Sequence, residues 1–244
     1  MNLFKPRTRD RICFVHVPKC GGQSVKSGIQ RAFNSPLEAV RIKAAPSHKG
    51  ASVGDQTNLH AYREDLLRYF LSDSEVGLVM GHYPCRKDTL DFFKDEWKFV
   101  TILRNPVDRF ISHFLYNTHK SSEHFKLDQA LDDFLKTSRA AALGELYVRY
   151  FSEYPNISLE EGIKEATNNL DRFALVGVLE KLEDWKISYQ NIFGGKLSIG
   201  KSNSSPSGAQ FAKKDITASQ LATIAELCEP SMQVYNYILS SKEL

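Results

Sequence analysis

The sequence predicts a three-layer α/β fold, a mostly parallel central sheet flanked by helices. Short runs of β-type apolar residues, such as ICFVHV at 12–17 and VGLVMG at 76–81, read as strands buried on both faces. Longer segments with helical spacing separate them, the alternation that builds parallel sheets. The first strand also passes through a glycine turn directly into a helix, an arrangement that aims backbone N–H groups at an anion.

Taken in order, the first strand at 12–17 is followed by the turn and by a helix over 24–33, in which Val25, Ile29 and Phe33 form one stripe. Residues 34–58 are rich in Ser, Pro, Gly and Ala without periodicity, so a surface excursion is expected there. Helical spacing returns at 59–71, and strands follow at 76–81 and 97–103. Helices are expected over about 106–119, 128–152 and 157–171, then a fourth strand at 174–178 and a helix ending at Phe193. A Gly/Ser/Lys-rich stretch at 200–211 precedes a last helix over roughly 217–240.

Bulk composition narrows the function classes. At 244 residues, with 42% hydrophobic and 25% charged, the chain fits a single soluble globular domain spanning 1–244. A net charge of +3 is too mild for a nucleic-acid-wrapping surface, yet it suits a local pocket for an anion. No apolar run approaches the roughly 18–20 residues of a membrane span. The basic N-terminal stretch leads into an apolar segment that ends at Pro18 and Lys19, too soon for a secretory core, so a cytoplasmic protein is expected. Cys13, Cys20, Cys85 and Cys228 are scattered with no C-x-x-C pair, which predicts free thiols and neither a zinc site nor a disulfide framework.

Two stretches carry chemistry. HVPKCGGQS at 16–24 has its lysine before the glycine pair, the reverse of the G-x-x-x-x-G-K-[ST] loop of nucleotide kinases. LRNPVDRFISHF at 103–114 opens a helix with Asn105 as cap, Pro106 at the first position and Asp108 at the third. Arg104 therefore stands at a strand's carboxyl end. Ser112, seven residues past the cap, returns to the cap's side of the helix, where the two could grip one tetrahedral anion.

Together these stretches resemble the sulfotransferases that use 3′-phosphoadenosine-5′-phosphosulfate (PAPS), in particular the carbohydrate (heparan/chondroitin-type) branch, whose fold is a P-loop-like α/β sandwich. The resemblance implies that Lys19 is the catalytic lysine and that Cys20, Gly21, Gly22, Gln23 and Ser24 form the loop holding the 5′-phosphosulfate. It implies that Arg104 and Ser112 hold the 3′-phosphate, at the family's eight-residue interval. His82, immediately after the second predicted strand, matches the histidine that removes the acceptor's proton in that branch. The branch the chain resembles implies a sugar hydroxyl as acceptor, with a small metabolite, lipid or tyrosine hydroxyl still open, and the nucleotide product is 3′,5′-diphosphoadenosine (PAP). A sulfate ester carries one charge, so no metal is expected. Gln23 departs from the family's usual threonine and would donate through its longer amide.

Other residues invite competing readings. Asp108 and Arg109 read as capping and surface-pairing groups, His16 as a core histidine, and His113 and His119 as packing or solvent-facing groups. Cys20 reads as a backbone donor and not a nucleophile. Arg86 and Lys87 are either solvated surface charge or a hold on an acidic acceptor, and Lys201 could fold over the nucleotide. Two rival functions stay open: a nucleotide kinase, and an inert nucleotide-binding module.

Overall fold

In the computed structural model, residues 10–53, 58–120, 125–200 and 213–241 are described. The chain runs β1 (Arg11–Val15), α1 (Gly22–Ala32), β2 (Glu38–Ile42), α2 (Ala44–Ala51), α3 (Leu59–Ser72), β3 (Val76–Gly81), α4 (Lys87–Phe93) and β4 (Trp97–Leu103). It continues through α5 (Pro106–His119), α6 (Leu131–Leu135), α7 (Ser138–Gly144), α8 (Leu146–Phe151), α9 (Leu159–Asp171), β5 (Leu175–Val178), α10 (Leu182–Phe193), α11 (Ala218–Leu227) and α12 (Glu229–Ser241).

The strands form one sheet in the order β2-β3-β1-β4-β5, with every pairing parallel. Both faces are covered, which explains why β1 and β3 read as unbroken apolar runs. Side chains alternate across the sheet with a period of two. Ile12, Phe14, Leu78, Met80, Val100 and Ile102 pack on α1 and α10 through Val25, Ile29, Trp185 and Phe193. Cys13, Val15, Val79, Phe99 and Leu103 pack on the other side with Leu67, Tyr147, Phe151, Leu170 and Val234. A third cluster joins Phe110 and Phe114 of α5 to α6, α7 and α11. Each such side chain contributes roughly 1.5–3 kcal/mol by leaving water, so α5 is anchored firmly beside the sheet.

Several elements differ from the sequence reading. Residues 34–58 contain β2 and α2 where a surface excursion is expected, giving five strands in place of four. β2 is an edge strand on which only Ile42 is buried, so it shows no apolar pattern. The helix expected over 128–152 is three short ones, because Thr137 caps a new start and the chain turns again at Glu145. The last helix is broken between Leu227 and Glu229, just before Pro230. α4 was not expected, and α1 begins at Gly22, two residues before the apolar stripe would place it. The stretch at 201–212, with Lys201, lies outside the described residues. No helix among the described residues is long and apolar enough to cross a membrane.

Candidate functional site

Three neighbouring strands, β3, β1 and β4, end side by side, and each delivers one candidate group at its carboxyl end. The loop 16–24 follows β1, His82 follows β3 and Arg104 follows β4. The chain order reverses across β1, with β3 on one side and β4 on the other, and crevices at such reversals are where open α/β sheets bind ligands.

The loop after β1 has the backbone of an anion cradle. Lys19 and Gly21 both adopt left-handed conformations, with φ of 69° and 70°. Right- and left-handed residues in succession turn N–H groups towards one point. For a lysine this conformation costs of order 1–3 kcal/mol, a strain concentrated at functional sites. α1 has no side-chain cap; the Ser24 N–H turns back to the Gly21 carbonyl at 3.1 Å, so the N–H groups of Gly22 and Gln23 are the ones its first turn offers a ligand. α5 differs, because the Asn105 side chain accepts from the N–H groups of Val107 and Asp108. An anion at α5 must therefore be held by side chains. Gly22 permits the loop to close: a Cβ there would sit 1.7 Å from Nε2 of His16. Gln23 is exposed, and its Oε1 accepts from the Lys26 ammonium at 2.7 Å, which leaves the amide N–H2 end for other partners.

The two sequence stretches meet at this point. Arg104 Nη1 lies 3.4 Å from the Lys19 carbonyl oxygen. The Lys19 ammonium lies 3.9 Å from the ring centroid of Tyr116 on α5. Burial and the neighbouring Arg104 cation lower the Lys19 pKa to about 8. Ser112 is partly buried on α5, and no hydrogen bond joins it to Arg104. Cys20 is buried and burial pushes its thiol up to about 11, which removes it as a thiolate nucleophile.

His82 donates from Nδ1 to the His16 carbonyl at 2.7 Å, since a carbonyl can only accept. That bond fixes the tautomer and leaves the Nε2 lone pair as the basic end. The His16 ring packs against it at a tilt of 36°, with centroids 4.2 Å apart. Burial pulls the His82 pKa down to about 4, against the His16 carbonyl, and the Arg63, Lys26 and Arg41 cations lower it further. His82 is thus neutral near pH 7. Arg63 donates to Ser47 Oγ and the Ala44 carbonyl, and no carboxylate pairs with Arg41, Lys26 or Arg63 among the described residues.

Arg86 and Lys87 do not form an acceptor hold. Arg86 is buried against Glu64 and Glu153, at 3.3 and 3.6 Å, and Lys87 pairs with Asp91 on the surface. Arg109 is likewise no surface group: it is fully buried and donates to the Leu143 carbonyl, while Asp108 keeps a surface pair with Lys213.

Sequence reasoning missed Tyr147. Its buried hydroxyl donates to the Arg104 carbonyl, accepts from the Arg104 N–H at 3.0 Å and lies 3.6 Å from Cys20 Sγ. One phenol thereby ties the loop after β1 to the end of β4. It stands 43 residues beyond Arg104, inside a stretch with no motif, so no local signal marks it. His16 was seen only as a core residue, although its carbonyl orients His82 and its ring abuts Gly22.

The family model for the sulfotransferase family matches residues 4–242. No curated protein matches. Among solved structures, the chain is similar to the shikimate kinase of Bacteroides thetaiotaomicron, at 14% identity and a TM-score of 0.43, covering 75% of this chain and 96% of that one. It is also similar to the mouse sulfotransferase SULT7A1 complexed with PAP, at 18% identity and a TM-score of 0.40. That match covers 89% of this chain and 63% of the mouse protein, so this chain spans less than two thirds of the mouse protein's length.

Proposed function

The chain belongs to the sulfotransferase family, and from that premise we propose that it moves a sulfuryl group from PAPS to an acceptor hydroxyl of a carbohydrate. The observation that carries this reading is the contact between Arg104 and the Lys19 carbonyl, which sets the two anion-binding stretches against each other at adjoining strand ends. One donor with phosphates at its 5′ and 3′ positions suits two such grips.

The acceptor oxygen attacks sulfur in line with the bridging oxygen between sulfate and 5′-phosphate. The new S–O bond forms as the old one breaks, PAP leaves with the electron pair, and the acceptor's proton goes to His82 Nε2. Lys19 faces the bridging oxygen, where charge grows during the reaction, and a cation already in place there favours the transition state over the ground state. The first-turn N–H groups of α1, with Cys20, Gly21, Gly22, Gln23 and Ser24, hold the 5′ end, and Arg104 and Ser112 hold the 3′-phosphate.

The cations around His82 support an acidic glycan as acceptor. An anion seated among Lys26, Arg41 and Arg63 offsets the field that depresses His82 and makes it a stronger base as the proton moves. The four cysteines are unpaired and buried, which suits a reducing compartment.

Transfer of isotope-labelled sulfate from PAPS to a panel of neutral and acidic glycans tests the reading. Label is expected on acidic glycans, and Lys19→Ala should lower kcat by about 10²–10³. Tighter binding of ATP than of PAP would support a kinase instead. PAP binding with no transfer to any hydroxyl compound would support an inert module.

A further inference from the structure

The resting place of the Lys19 ammonium is a feature that the family reading does not require. Among the described residues no carboxylate pairs with it, and the ring face of Tyr116 is its one stabilising contact, at 3.9 Å from the centroid. Tyr116 is 44% exposed and so is no core residue. It follows Ser112 by four positions on α5, which puts the two on one helix face. The negative face of an aromatic ring attracts an ammonium, more strongly where water is partly excluded. The charged groups nearest Lys19 act the other way: Arg104 at the end of β4 repels it, and the titratable His16, just after β1, and His113 from α5 lie within its field.

We propose that Tyr116 is a positioning residue for Lys19, whose ring face holds the ammonium charged and directed at α5 until the donor's bridging oxygen takes its place. The inference rests on the sulfotransferase reading for the donor, but the contact itself exists without one. Since the ring face and not the hydroxyl makes the contact, phenylalanine serves as well as tyrosine, whereas leucine fills the space and supplies no attraction. Without the ring, burial and Arg104 act unopposed on Lys19, which then loses its proton at lower pH.

The experiment is a carbon-13 lysine titration of the donor-free protein by NMR, with the Lys19 signal assigned by its loss in Lys19→Met. Wild type and Tyr116→Phe should share one midpoint, and Tyr116→Leu should fall by about half to one pH unit. The alkaline limb of kcat/KM should move by the same amount, with the thermal midpoint of unfolding unchanged. An unshifted Tyr116→Leu midpoint, or an equal shift in Tyr116→Phe, overturns the proposal. Calorimetry of wild type with PAP runs beside it: absence of PAP binding would refute the donor reading, while the NMR midpoints still decide the role of Tyr116.

Discussion

His16 and Gly22 interlock so closely that neither position tolerates much change. A methyl group at Gly22 meets the imidazole at 1.7 Å, and that ring has little room to retreat because it lies between Phe14 and His82 and is itself buried. Gly22→Ala is therefore expected to cost about 1–3 kcal/mol of stability through overpacking and to weaken PAP binding at least tenfold, read by thermal melts and calorimetry. In the proposed mechanism two titrating groups set the pH dependence of transfer: His82 has to be neutral to take a proton, and Lys19 charged to stabilise the leaving oxygen. Activity in the free enzyme should fall on the acid side as pH approaches about 4, and on the alkaline side above about 8. A kcat/KM profile that stays flat from pH 6 to pH 10 would remove Lys19 from its role. Sequence displayed these residues because Lys19, His82 and Arg104 each sit at a strand end with a local motif. Arg41 and Arg63 carry no such mark, since they reach His82 only through the folding of β2 and α3.

At the scale of elements, α5 is the part on which both ends of the site depend. Its start was legible because Asn105, Pro106 and Asp108 encode a cap locally. Asn105→Ala leaves the N–H groups of Val107 and Asp108 without their acceptor and should cost about 0.5–2 kcal/mol, measured by denaturant unfolding. The tie between α8 and the end of β4 was not legible, because it is made by a single hydroxyl across the fold. Tyr147→Phe keeps the packing but strips the Arg104 backbone of two hydrogen bonds. An unsatisfied buried partner costs about 1–3 kcal/mol. The expected outcome is weaker PAP binding with a smaller change in kcat, because the loss falls on the proposed 3′ grip and not on Lys19. The breaks at Thr137, Glu145 and Glu229 were missed because apolar spacing continues across them, although the Thr137 side-chain cap and Pro230 mark two of them locally.

Across the whole molecule, the sheet was readable because its central strands are buried on both faces, whereas edge strand β2 left no apolar trace. The same burial traps histidines in neutral form. Burial holds His60 and His82 down to about 4 and His113 to about 3, and keeps His16 well below its ordinary value. Between the ordinary 6.5 and about 4, the unfolded chain binds protons that the folded chain refuses, so stability falls as pH falls through that window. Each such group contributes a slope of up to about 1.4 kcal/mol per pH unit, and urea unfolding between pH 7 and pH 4.5 should show a steep loss. The proposed donor site makes one demand on its ligand, phosphate at both ends of one adenosine. Calorimetry of PAP against AMP, repeated in Arg104→Ala, tests that demand most directly. The account predicts that PAP binds at least about a hundredfold tighter than AMP and that Arg104→Ala abolishes most of the difference. Equal affinity for the two nucleotides in the wild-type protein would contradict it.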